Sequence, residues 1–332
     1  MSETKYHPIT KIAEDIYQVR LPLPFALNHI NVYLLRGKNG WTIIDTGINW
    51  EEARQVWQLA FDELKFSFVD VEQIVLTHMH PDHFGLAGWF YQSAQAQGHQ
   101  IPIRTSPREN AILEKVWRPR MALPFSDWLQ ANGMPEAMAS TVHNSMGDTF
   151  SMTLPHPPAL AVLDYGVEVA LGERLFKTIH APGHSDGQII LYDESDKLLL
   201  SGDHVLMKIT PNIGLWEHSQ NNPLKEFMGS LSDLEDLEVR QALPGHRRVI
   251  EDWAGRIEEL LVHHENRLGL ALEAVERCCQ TPYEVANHIF ETDRFSPHEW
   301  RFAIAETLAH LEYLRQEGQI TQAEDAIVFE LA

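Results

Sequence analysis

The stretch Gln73-Ile74-Val75-Leu76-Thr77-His78-Met79-His80-Pro81-Asp82-His83 changes character halfway along. Its first half is an apolar run too short for a helix, and the second half carries three imidazoles and a carboxylate. Phe84 to Gln95 then reads as helix, so a strand ends by delivering histidines into a strand-to-helix loop, where a rigid scaffold holds exposed side chains. Imidazole and carboxylate both bind a borderline cation such as Zn²⁺. From an extended segment His78 and His80 point the same way. Asp82 and His83 begin a turn and reach a second position, so one loop serves two ions.

A dinuclear site needs further ligands, and the chain offers them where local structure suits. Ala181-Pro182-Gly183-His184-Ser185-Asp186-Gly187 follows a strand, Leu198-Leu199-Leu200-Ser201-Gly202-Asp203-His204 is a strand ending in Gly-Asp, and Ala242-Leu243-Pro244-Gly245-His246 is a strand end followed by His. Earlier, β-rich runs at Ile16 to Val19, Asn31 to Leu35 and Trp41 to Ile44 lead into the turn Asp45-Thr46-Gly47. A helix follows, with Asn49 as the expected N-cap and Glu52 three residues on. Strands return at Glu168 to Leu171, Leu175 to Ile179, Gln188 to Tyr192 and Lys197 to Leu200. Two sheet-forming halves, each presenting His or Asp at strand ends, predict a layered α/β sandwich with the site between the sheets.

Between the halves, residues 107 to 158 are rich in Pro and Met, with helical segments expected at Glu109 to Val116 and Pro135 to Asn144. This reads as a helical insertion, either a surface elaboration or a pocket wall. The last third is different again. An amphipathic helix spans Asp252 to Cys279, and Thr281-Pro282-Tyr283-Glu284 and Ser296-Pro297-His298-Glu299 are capping boxes opening two more helices. A strand is expected at Ile327 to Leu331.

In this order, these strings resemble the five signature motifs of the metallo-β-lactamase superfamily, over about residues 10 to 250. The resemblance implies a four-layer αβ/βα sandwich with two divalent metal ions, zinc first, though iron or manganese also suits these ligands. Carried over by position, His78, His80 and His184 hold the first metal, and Asp82, His83 and His246 the second. Asp203 bridges them, Asp82 also orients the attacking hydroxide and accepts its proton, and Asp45 stands behind the ligands, as does His204. The tail, 255 to 332, resembles the small, helical, winged-helix-like domain of lactamase-like proteins related to a mitochondrial endoribonuclease. The division is therefore 1–254 catalytic and 255–332 C-terminal.

Bulk properties narrow the function. The formal net charge is −21, from 47 acidic against 26 basic side chains, a field that repels phosphate backbones. The N-terminus has no basic region followed by an apolar one, and no apolar run approaches a membrane span. A cytoplasmic protein is expected, acting on a small molecule, with nucleic acid disfavoured, no membrane partner, and self-association left open. The adjacent Cys278 and Cys279 read as reduced thiols.

Glyoxalase II, thioesterases, acyl-lactone hydrolases and several nucleases share this metal set, so the resemblance implies a reaction class and not a molecule. The expected reaction is attack of an activated water on an ester, thioester or lactone carbonyl. A ribonuclease or phosphodiesterase, and a metal-bearing sensor without turnover, are the alternatives. Substrate contacts are expected from Trp117, Arg120, Phe125 and Trp128 of the insertion and from Lys208 to Trp216.

Overall fold

The computed structural model describes residues 7–118, 125–217, 219, 221–322 and 329–331. The first half contains β1 (Ile9–Lys11), β2 (Ile16–Pro22), β3 (His29–Arg36), β4 (Trp41–Ile44), α1 (Glu51–Leu64), β5 (Val71–Val75), α2 (Pro81–Phe84), α3 (Ala87–Gln95) and β6 (Ile103–Thr105). Helices α4 (Pro107–Ile112), α5 (Phe125–Ala131) and α6 (Glu136–Ser151) precede β7 (Ala161–Val162). The second half contains β8 (Glu168–Leu171), β9 (Arg174–His180), β10 (Ile189–Asp193), β11 (Leu198–Gly202), α7 (Pro223–Leu234) and β12 (Gln241–Pro244). The chain closes with α8 (Trp253–Glu276), α9 (Pro282–Ile289), α10 (Pro297–Gln316) and an antiparallel ribbon of β13 (Ile320–Gln322) and β14 (Phe329–Leu331).

Strands β1 to β7 form one sheet in chain order, and the second runs β12-β11-β10-β9-β8. Period-2 alternation sorts their side chains into layers. On β3, Ile30, Val32 and Leu34 join Trp57, Phe61 and Phe90 beneath α1 and α3, while Tyr33 and Leu35 face the other sheet. On β10, Ile189 and Leu191 meet that inter-sheet core, and Ile190 and Tyr192 pack with Phe227 and Ile257 of α7 and α8. The result is the expected four layers, helix, sheet, sheet, helix. Strands β4 and β5 are parallel, as are β11 and β12, and β9 shares their direction through the antiparallel β10. The strands that lead to the ligand candidates in both sheets thus deliver their C-terminal ends to one edge. There the sheets are clasped by Asn31 N donating to Gly245 O at 2.6 Å and Ile189 N to Thr77 O at 3.0 Å.

Several expectations change in detail. Trp50 is the N-cap residue of α1, and Asn49 instead donates from Nδ2 to Leu154 O of the insertion, a tertiary bond that outcompetes the local cap. The helix read over Phe84 to Gln95 is two pieces: α2 begins earlier, with Pro81 in its first turn, and breaks at Gly85-Leu86 before α3. In the insertion, α6 runs to Ser151, past the expected Asn144, and α5 was not foreseen. Both capping boxes form, and Asp252 caps α8 by accepting from Gly255 N at 3.1 Å. Of the strand expected at Ile327 to Leu331, Phe329–Leu331 is present, and residues 327 and 328 lie outside the described residues. Cys278 and Cys279 are free. Among the described residues, no helix is long and apolar enough to cross a membrane.

The insertion is more than a surface elaboration. Phe125, Leu129, Ala139 and Val142 share one apolar core with Ala286, Trp300, Ile304 and Leu308 of the last helices. Burying apolar surface at roughly 25 cal/mol per Å² is what holds these segments together across the strand ends.

Candidate metal centre

The strand ends bring all seven ligand candidates together. Donor atoms of His78, His80 and His184 lie within 4.8 Å of one another, as do those of His78, His83 and Asp203, and those of Asp82, His83 and His246. Asp203 Oδ2 stands 3.4 Å from His83 Nε2, 3.6 Å from His184 Nε2 and 3.2 Å from His246 Nε2, between the two histidine sets. His80 turns Nδ1 inward, 3.1 Å from His78 Nε2 and 2.9 Å from His184 Nε2. His246 Nε2 lies 3.2 Å from Asp82 Oδ2.

The outward nitrogens fix the tautomers. His83 Nδ1 meets Asp45 Oδ2 at 2.8 Å, His184 Nδ1 meets Asn212 O at 2.9 Å, and His246 Nδ1 meets His29 O at 2.8 Å. A carboxylate and two carbonyls only accept, so each Nδ1 carries the proton and each Nε2 offers a lone pair inward. His78 does the same through Thr77: the hydroxyl donates to Asp45 Oδ2 at 2.8 Å and accepts from His78 Nδ1 at 2.9 Å. Four Nε2 lone pairs and two carboxylates therefore face one another away from water. Buried His83 Nε2, His246 Nε2 and Asp203 Oδ1 have no hydrogen-bond partner, an arrangement that is costly unless cations lie between the donors. Nitrogen and oxygen donors of this kind suit two divalent ions.

Protonation points the same way. Burial, reinforced by neighbouring imidazoles, holds His78 and His80 far below their usual range. Burial also works against charge on His83 and His246, but Asp203 and the nearby carboxylates outweigh it and push His246 up to about 10. Without metal, protons on these two rings would balance the acids, so divalent ions displace protons on binding.

Close approach is built in at two glycines. Gly183 has φ +123°, and a Cβ there would strike Phe227. At Gly245 a Cβ would strike Asp203 Oδ1 and His83 Cε1. Asp45, itself left-handed at φ 60°, accepts from His83 Nδ1, Thr77 N and Thr77 Oγ1, locking one ligand and the backbone before another.

Other candidates fall in different places. His204 does not stand behind the ligands: its Nε2 pairs with Ser230 Oγ at 3.1 Å and its ring packs on Phe227, because the chain turns after Asp203 and aims it at α7. Trp128 and Trp216 come together, ring centres 6.1 Å apart, beside Phe125. Trp117 packs on Phe84 and Phe150 instead. Lys208 is an exposed, left-handed residue on the loop after Asp203, and Arg120 lies outside the described residues.

Glu109 was missed by the sequence reading. Fully buried, it accepts from Met79 N at 2.6 Å, Ser185 Oγ at 2.6 Å and Gly187 N at 2.8 Å, tying the loop of His78 and His80 to that of His184. Burial pushes its carboxyl up to about 7 against the pull of these donors. Its local string, Ser106-Pro107-Arg108-Glu109, has the same form as the Ser296 capping box, yet here the glutamate leaves the cap for the two loops. Glu109→Ala strands three buried donors. It is expected to lower stability by about 2–4 kcal/mol and weaken metal binding by about 10–100-fold. Chelator competition checks this, and undiminished metal affinity in the variant would refute it.

Known proteins place this geometry. A family model described as the metallo-beta-lactamase superfamily matches residues 26–246, and one described as the metallo-beta-lactamase-like C-terminal domain matches 268–330. The crystal structure of metallo-beta-lactamase family protein TTHA1429 from Thermus thermophilus superposes with TM-score 0.85 at 34% identity, covering 97% of this chain and all of that one. Probable metallo-hydrolase YqjP of Bacillus subtilis is 26% identical, covering 93% of this chain and 94% of its own. Human acyl-coenzyme A thioesterase MBLAC2 is 22% identical over 81% of this chain and 91% of its own. With its sandwich, its strand-end ligands and a family model spanning most of the chain, this protein is a member of the metallo-β-lactamase superfamily.

Proposed function

We propose that the chain is a dinuclear metal-dependent hydrolase of an acyl thioester or ester. The observation that carries this reading is the convergence of four inward Nε2 atoms with Asp82 and Asp203 on shared centres, a donor set that suits two divalent ions. Two divalent ions held there would supply Lewis acidity and make water nucleophilic near neutral pH. The protein's own groups do the rest. Asp203 lies between the two histidine sets and keeps them at a common centre. Asp82 is 18% exposed, against 0–9% for His83, His184, Asp203 and His246. Burial would raise its carboxyl, but His83 and His246 outweigh burial and hold it well below the usual range. With metal in place of those protons, Asp82 is the carboxylate positioned to orient an attacking water and accept its proton. The backbone bonds to His184 and His246 fix the rings, so little reorganisation accompanies reaction.

A thioester is favoured because MBLAC2, which matches most of this chain, is named as an acyl-coenzyme A thioesterase. The acidic charge of the chain, −21, disfavours an RNA substrate. Metal-replete full-length protein should be assayed against thioesters, lactones and short RNAs. The expected result is thioester or ester cleavage with kcat/KM of about 10⁴ M⁻¹s⁻¹ or above for a suited acyl group. Cleavage of RNA alone would overturn the assignment.

A further inference from the structure

The N-terminal half of α10 packs beside the loops that carry the ligand candidates. Asn212, whose carbonyl receives His184 Nδ1, donates from Nδ2 to Glu306 Oε2 at 2.8 Å and Phe302 O at 3.4 Å. Leu215 N donates to Ala305 O at 2.9 Å. At the helix's first turn, His298 stacks flat on Phe25 of the β2–β3 connection, ring centres 4.9 Å apart. The helix is thereby tied to both halves of the sandwich at the edge where the ligands sit.

Arg301 lies on this stretch. Its guanidinium carbon is 4.4 Å from the centre of the Phe302 ring, and its Nε is closed off from solvent without a hydrogen-bond partner. Among the described residues no carboxylate pairs with it. The acid whose field reaches it is Asp82, and Asp82 also acts on His298. Elsewhere the fold supplies acids to a half-buried guanidinium: Arg174 gathers Asp15, Asp193 and Asp196. Arg104 and Arg247 also bury an Nε without a partner; Arg301 differs in lying on the helix whose Phe302 and Glu306 accept from Asn212, the residue that holds His184. Burial holds it below its ordinary range, to about 10. Once Asp82 engages a cation, its charge no longer serves Arg301, and a half-buried guanidinium is left beside the centre without a carboxylate of its own.

We propose that Arg301, flanked by His298 and Phe302, is an anion subsite, so that the substrate is an acyl compound bearing a carboxylate or phosphate away from its scissile carbonyl. This deepens, and rests on, the hydrolase reading above. Guanidinium suits either anion, through paired N–H donors in one plane. The aromatic neighbours cover part of the group and lower its access to water, which strengthens the contact.

The test uses metal-replete, full-length protein and three thioesters with the same acyl group and thiol, ending in a carboxylate, a phosphate or a neutral methyl ester. Wild type should prefer one anionic ending by about 30-fold in kcat/KM, the scale of a charged hydrogen bond. The more favoured ending identifies the anion. In Arg301→Met that ratio should fall to within about 3-fold, chiefly through KM, and Arg301→Lys should restore part of it. A wild type that cleaves all three thioesters equally, or an anionic preference that survives Arg301→Met, would overturn the subsite. If none of the three is cleaved, the hydrolase reading fails separately. The subsite is then decided by isothermal titration of the metal-replete proteins with glutarate and glycerol phosphate. Wild type binding either one about tenfold more tightly than Arg301→Met supports it, and equal affinities refute it.

Discussion

Asp203→Ala is expected to lower turnover by about a thousandfold, the scale at which one electrostatic element of a dry site is felt. Asp203 Oδ2 touches His83, His184 and His246, so its loss uncouples both histidine sets together. His80→Ala should act in the same direction, because its Nδ1 completes the group with His78 and His184. The fold should persist. The sheets are held by inter-sheet apolar residues such as Tyr33, Phe176 and Leu191, and Asp203 contributes nothing to that layer. The metal-free melting temperature of the variant should therefore stay within about 3 °C of wild type. Turnover at the wild-type rate with full metal retention would contradict this role.

Stripping the metals with a chelator is expected to abolish turnover and to lower the melting temperature by roughly 8 °C. The size follows from linkage. Two ions that bind only the folded chain, each present at about thirty times its dissociation constant, together stabilise it by about 4 kcal/mol. For a chain of this size, each kcal/mol moves the midpoint by about 2 °C. The physical source is the set of inward lone pairs and the buried, partnerless His83 Nε2, His246 Nε2 and Asp203 Oδ1. Differential scanning fluorimetry before and after metal readdition reads both effects. An unchanged midpoint, with activity intact, would leave the metals no role in stability or turnover.

How much of this was visible in the sequence depends on how local each feature is. The ligand candidates were legible because they follow short apolar runs, and a strand end followed by His or Gly-Asp is a local pattern. The four layers were legible for the same reason, since alternation on β3 and β10 sorts residues by period alone. What escaped depends on distant partners. Asn49 has every local mark of a cap and is drawn to Leu154 O. Glu109 carries a capping string and is drawn to Met79, Ser185 and Gly187. His204 follows a ligand in sequence and yet faces Ser230. Asn212 and Arg301 gain meaning only when α10 lies across the strand ends, a placement set by the apolar contacts of the insertion with the last helices.

The most direct test of the central claim is elemental analysis of full-length protein purified without added metal, alongside the Asp203→Ala variant. Close to two divalent ions per wild-type chain, with a reduced content in the variant, is the predicted result. Wild-type protein that folds, cleaves a thioester and carries essentially no metal would contradict it.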